Sequence, residues 1–167
     1  RRSSDLLVQI RLKFYEEMLA DPEVIIKNQW RHNVTLLNQA RSIGCKVGLA
    51  TMSRCPQAMK ILDILEFKDR FDFIATRDDV ENGKPDPEIY NLVLDELNAR
   101  PEKTLAIEDS PSGVLAAVNA GVEVIAVGTP FTTEHLLEAD FIKNKWVVQN
   151  PAELPIVLEK KIKKMRK

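Results

Sequence analysis

Two carboxylates, Glu108 and Asp109, stand side by side in the stretch LAIEDSPSGVLAAVNAG (105–121), directly after the apolar run 104–107. Adjacent acids at the end of an apolar strand repel each other and lose hydration, so the arrangement calls for a cation between them. Oxygen-only donors point to Mg²⁺, which takes one or two protein carboxylates and completes its octahedron with water and phosphate oxygens. Ser110 and the helix start behind it would add backbone N–H groups on the same side. The plainer reading is that the two acids complement the dipole of that helix.

Lys84 lies in the polar loop TRDDVENGKPDP (76–87). Gly83 frees the turn and Pro85 restricts the residue before it, so Lys84 is presented from stiffened backbone. Read alone, it is an ordinary surface lysine. Thr51 ends the apolar run 46–50, and ATMSRC (50–55) adds Met52 and Ser53. Backbone amides and hydroxyls there can grip phosphoryl oxygens as anion-binding turns do. For Thr51 the competing reading is a strand former or a cap. Arg54 reads as a solvated charge, Cys55 as a small packed residue, and Asp78, Asp79 and Glu81 as a solvated loop face. His32 and His135 have no nucleophile partner, and Trp30 and Trp146 read as packing residues.

These side chains converge only if the chain alternates strands and helices, and the sequence has that rhythm from residue 34 onward. Strands are predicted at 46–50, 71–75, 104–107 and 122–127, with edge pieces at 141–142 and 146–148. Helices are predicted at 34–43, closed by Gly44, and from Pro56 to about Leu65. Asp86 as N-cap and Pro87 at the first position open another, with Ile89, Val93 and Leu97 inward. Ser110 and Pro111 repeat the device, with Val114, Ala117 and Val118 inward and Gly121 at the close. A short helix near 133–137 and a last one from about Ala152 complete the chain. Residues 5–19 form an amphipathic helix, and DPEVIIKNQW (21–30) carries no clear pattern. The fold class is therefore α/β, a Rossmann-like parallel sheet with helices on both faces, and ligands of such sheets collect at the carboxyl ends of the strands. Thr51, Lys84, Glu108 and Asp109 all follow strands.

The 167 residues carry 24 basic and 25 acidic side chains. That balance advertises neither nucleic acid nor an acidic membrane, and the expected partner is a small phosphorylated molecule. Cys45 and Cys55 have neither zinc nor disulfide spacing, which fits a reducing, cytoplasmic setting. No apolar run approaches a membrane span. The basic end KKIKKMRK (160–167) reads as a solvated terminus.

LATMS, GKPDPEIY and AIEDSPSGVLAAVNAG resemble the second, third and fourth motifs of the haloacid dehalogenase superfamily, in its branch similar to β-phosphoglucomutase and phosphoglycolate phosphatase. The resemblance covers about residues 34–142. It implies that Thr51, with Met52 and Ser53, binds the transferring phosphoryl group, that Lys84 bridges phosphate and nucleophile, and that Glu108 and Asp109 hold Mg²⁺. It also implies an aspartyl-phosphate mechanism on a small phosphorylated metabolite. Residues 1–30 resemble a remnant of the family's helical cap with its connector, and 31–167 the α/β core.

One part of the pattern is missing. The family's first motif, a D-x-D followed by Gly-Thr, supplies the nucleophile, and no D-x-D occurs in this sequence. By the resemblance its strand lies between those ending at Thr51 and Asp109. Removing it leaves two inter-strand spacings, about 9.6 Å, with unpaired backbone on both sides. The expectation is that an N-terminal segment or a second chain supplies that strand, and that the chain alone is inactive. RHNV (31–34) stands where the family usually has Pro-Gly. The competing functions are a sugar phosphomutase and a non-catalytic phosphate-binding remnant. A phosphoacceptor receiver domain fits poorly, because its acidic pair comes first in the chain.

Overall fold

The fold is described from a computed structural model over residues 2–165. It contains two parallel sheets. In the smaller, β1 (Gly48–Ala50) pairs with β2 (Phe73–Ala75), with Leu49 opposite Ile74. In the larger, β4 (Glu123–Val127) lies between β3 (Leu105–Glu108) and β5 (Val147–Val148). All the pairs are parallel, so each crossover passes through helical structure.

Alternation along β4 divides the core. Val124 and Ala126 belong to one apolar cluster, with Ile89, Tyr90 and Leu94 of α5 (Glu88–Glu96), Val114, Ala116 and Ala117 of α6 (Pro111–Asn119), and Leu136 of α7 (Thr133–Glu138). Ile125 and Val127 belong to the other, with Leu36 of α3 (Arg31–Ser42) and Leu154 and Leu158 of α8 (Leu154–Met165). Successive strand residues point to opposite faces, so a strand apolar on both sides must be covered on both. The α/β architecture with helices on both faces is thus observed. Ile89, Val114, Ile125 and Leu136 are wholly buried, and burying each such side chain stabilises the fold by about 1.5–3 kcal/mol.

The helix starts follow their caps. Ser110 accepts a hydrogen bond from the Gly113 amide at 3.1 Å and Pro111 occupies the first turn of α6. Gly121, with φ +75°, ends the following turn in the left-handed region that glycine adopts without strain. The start of α5 lies one residue later than the sequence pattern suggests. Pro87 is already helical as its N-cap, and Asp86 reaches past it to accept the Glu88 amide at 2.9 Å. In α4 (Cys55–Ile64) the cap comes from another loop, Asp78 accepting the Cys55 amide at 2.8 Å. The segment without a clear pattern forms α2 (Pro22–Lys27), whose N-cap Asp21 accepts the Glu23 amide at 2.9 Å. It packs with α1 (Arg2–Leu19) on α4.

Other expectations are corrected. Residues 141–142 form no strand, since β5 begins only at Val147. Val118 is 38% exposed and Ala116 fills the inward position instead, because α6 turns its small-residue side to the sheet. Trp30 is likewise 38% exposed at the start of α3, whereas Trp146 is buried. β1 is shorter than its apolar run: Lys46 spends its ammonium on the Leu97 carbonyl and the Val47 amide donates to the Asp72 carboxylate, both at 2.7 Å. Arg166 and Lys167 of the basic end lie outside the described residues.

No ladder joins β1 to β3 among the described residues. The carboxyl ends of these two strands are instead joined through one side chain, Lys84.

Candidate active site

Lys84 leaves the loop after β2 and turns inward. Its Nζ donates to the Ala50 carbonyl at 3.1 Å, at the end of β1, and pairs with Glu108 Oε1 at the end of β3. Both side chains are 8% exposed, so this is no surface lysine. Tyr90 of α5 donates its hydroxyl to the same Glu108 oxygen at 2.5 Å, and its ring centroid lies 5.1 Å from the ammonium. Burial, reinforced by the Glu108 charge, holds the Tyr90 hydroxyl far above its ordinary pKa, so it stays a donor. Removing one partner of such a buried ion pair leaves the other charge uncompensated and typically costs about 3–5 kcal/mol.

The loop that presents Lys84 is held from several sides. Both oxygens of Glu88 are engaged, accepting the Glu81 and Asn82 amides at 2.7 Å each. These amide bonds hold the Glu88 carboxyl below its usual range. Asn119 of α6 donates to the Pro85 carbonyl at 3.2 Å. Asp79 accepts both the amide and the hydroxyl of Thr76 at 2.7 Å. Asp78 and Asp79 are exposed, as a solvated loop face is, and each also caps a helix start. Gly83 is not in the left-handed region; a side chain there would instead come within 2.9 Å of the Met52 methyl group. Its service is close approach of the two loops.

At the end of β1, the Thr51 amide donates to the Ala75 carbonyl at 2.9 Å, and Thr51 Oγ1 accepts the Ser53 amide at 3.1 Å. The Ser53 amide is thus spent within the turn. The Met52 amide has no acceptor among the described residues, and the Thr51 hydroxyl keeps its own proton for another partner.

Glu108 and Asp109 differ sharply. Glu108 is buried and committed, and it lies so close to the first turn of α6 that a Cβ at Gly113 would stand 2.1 Å from its Oε2. Asp109 is exposed at the rim, and its carboxylate accepts no side-chain hydrogen bond or ion pair among the described residues. Partial burial and the adjacent Glu108 charge raise its pKa, with Lys84 opposing weakly. The two acids, Lys84 and the Thr51 turn are thereby gathered at one end of the two sheets. Tyr90, Gly113 and Glu88 join them unannounced. Tyr90 sits in a helical apolar stripe, where nothing distinguishes it from core, although a tyrosine beside buried apolar residues still needs a partner for its hydroxyl.

A family model described as haloacid dehalogenase-like hydrolase matches residues 6–127. The chain belongs to this family. As a haloacid dehalogenase-like hydrolase it is similar to a phosphorylated carbohydrates phosphatase of Thermotoga maritima, 47% identical over 89 residues, which cover 53% of this chain and 41% of that protein. Among solved structures, CbbY from Rhodobacter sphaeroides in complex with phosphate superposes with a TM-score of 0.71 at 27% identity, covering 88% of this chain and 65% of that one. β-Phosphoglucomutase from Clostridium difficile superposes with a TM-score of 0.64 at 30% identity, covering 80% and 56%. The chain spans about half the length of the curated relatives it matches. Within the family match fall every residue of the gathered site and α1 from Leu6 onward.

Proposed function

We propose that this chain carries the phosphoryl-binding and metal-binding half of a phosphatase acting on a small phosphorylated metabolite of the sugar-phosphate class. The observation that carries the reading is Lys84, held buried between the ends of β1 and β3 by Ala50, Glu108 and Tyr90. A loose phosphoryl-transfer transition state spreads charge over three oxygens and needs fixed donors more than covalent chemistry. Thr51, the Met52 amide and Ser53 would bind those oxygens, and Lys84 would offset their charge. At about 4 Å and an effective dielectric near 20, one ammonium against one phosphoryl charge is worth about 4 kcal/mol before desolvation.

The donor set fits Mg²⁺. Asp109 offers a carboxylate whose proton affinity is raised by partial burial and by the neighbouring Glu108 charge, and Glu108 stands beside it with one oxygen already committed. An ion that keeps several waters and one or two carboxylates asks for no more from this chain. When bound, the ion would neutralise charge on the transferring phosphoryl group. The aspartate that would form the aspartyl-phosphate is not in this sequence. We infer that a strand carrying it belongs between β1 and β3, supplied by a preceding segment or a second chain, and that this chain alone does not turn over.

The test is hydrolysis of a phosphomonoester by this chain alone and by a version extended with a strand ending in Asp-x-Asp. Mg²⁺-dependent activity only in the extended protein, lost by about 10²–10³-fold in Lys84→Met, is the expected result. Equal, Mg²⁺-independent rates overturn the assignment. A phosphomutase is the second reading, favoured by the likeness to β-phosphoglucomutase. Transfer to a second hydroxyl of the sugar, in place of release to water, distinguishes it.

A further inference from the structure

A second polar cavity lies at the opposite rim. Glu123 opens β4 and pairs in register with Leu105, whereas Glu108 pairs with Ala126. Three residues of strand, about 10 Å, separate these levels. Beside Glu123 is a cavity of about 350 Å³ whose walls include Val122, Phe141 and Trp146 and the ammonium-bearing Lys143, Lys161 and Lys164.

The charges here do not balance. Lys161 pairs with Glu123 Oε2, and Lys164 approaches the other oxygen of the same carboxylate at 3.4 Å. Lys161 and Lys145 also stand over the Trp146 ring, 4.5 and 5.2 Å from its centroid. The other acid on the cavity wall, Glu102, is paired with Arg100 at 3.5 Å. Three ammonium groups on the wall, Lys143, Lys161 and Lys164, thus share the one carboxylate, Glu123, that is not paired elsewhere, and two of them already meet it. Lys161 is only 3% exposed, yet Glu123 is its sole ionic partner among the described residues, and an ammonium has three protons to place. A desolvated cation left short of acceptors favours a further anion. The remaining wall is apolar, as a site for the body of an organic molecule is.

The geometry points to a binding site for a small organic anion, a carboxylate or phosphate carried on an apolar group, between β4, Trp146 and α8. Its charged end meets Lys161, Lys164 and Lys143, and its apolar end lies against Val122, Phe141 and Trp146. The site is separate from the phosphoryl site and does not depend on its assignment.

The two indole N–H signals of the ¹⁵N-labelled protein report on it, with Trp30 as the internal control. Phenyl phosphate and benzoate are titrated in parallel with inorganic phosphate. The expected result is a saturable shift of Trp146 alone, with the aromatic anions binding more tightly than inorganic phosphate and all weakening as salt rises. The exposed pair Lys143→Gln with Lys164→Gln weakens binding about tenfold or more without altering the fold. No shift of Trp146, equal binding by the double variant, or equal affinity for inorganic phosphate overturns the proposal.

Discussion

The sheet β3–β4–β5 and the sheet β1–β2 are built from similar residues and packed very differently. On the first, α6 buries four of its nine residues and β4 is buried at four of five positions. On the second, β1 has no fully buried residue, and α2 contains none either. α1 leaves Leu7 and Phe14 more than 60% exposed. The difference teaches where the molecule is self-sufficient. The larger sheet has neighbours on both faces, whereas the smaller one and the N-terminal helices have apolar surface and strand edges still to satisfy.

The sharpest way to break this comparison is to truncate one side chain in each region. Leu136→Ala, in the packed region, is expected to cost about 2–5 kcal/mol in denaturant unfolding, whereas Leu7→Ala or Phe14→Ala changes stability by under about 0.5 kcal/mol. Similar losses from both would show that the N-terminal helices are as firmly packed as the core.

Between the regions lies the seam that Lys84 closes, and Gly113 tests it. A Cβ in Gly113→Ala would meet the Glu108 carboxylate, so Glu108 must move and release Lys84 or Tyr90. A loss of about 1–3 kcal/mol is expected, with the Tyr90 ring resonances displaced in NMR spectra. An unshifted Tyr90 would mean that the carboxylate is free to give way.

The smallest effect concerns Asp109. Its folded pKa is raised, so the stability linked to its protonated form is full below its ordinary value of 3.8 and is lost as pH rises through the folded value. In chelator-treated buffer, Asp109→Asn should therefore be more stable than the parent at neutral pH and converge with it in acid. Parallel melting curves across that range would remove the electrostatic account of the rim.

Much of this was legible in the residues. Caps with proline, such as Ser110-Pro111, and the strand ending in Glu108 and Asp109 are local signals, and local signals survive folding. Long-range partners were not legible. Nothing near Tyr90 announces Glu108, and nothing near Cys55 announces Asp78, because those bonds cross 18 and 23 residues of chain. The β1–β2 and β3–β4–β5 partition was expected only through the family's missing strand. The mid-chain apolar stripe also named Val118 where Ala116 lies inward, since helix rotation is set by the fit of small residues to the sheet.

The ammonium of Lys84 has one further consequence. Two of its three protons are assigned, one to the Ala50 carbonyl and one to Glu108, which leaves a single N–H without an acceptor among the described residues. An arriving oxyanion can take that proton's direction while both existing bonds persist. Ligand capture and cohesion of the two sheets then reinforce each other, so occupancy of the pocket should tighten the whole molecule.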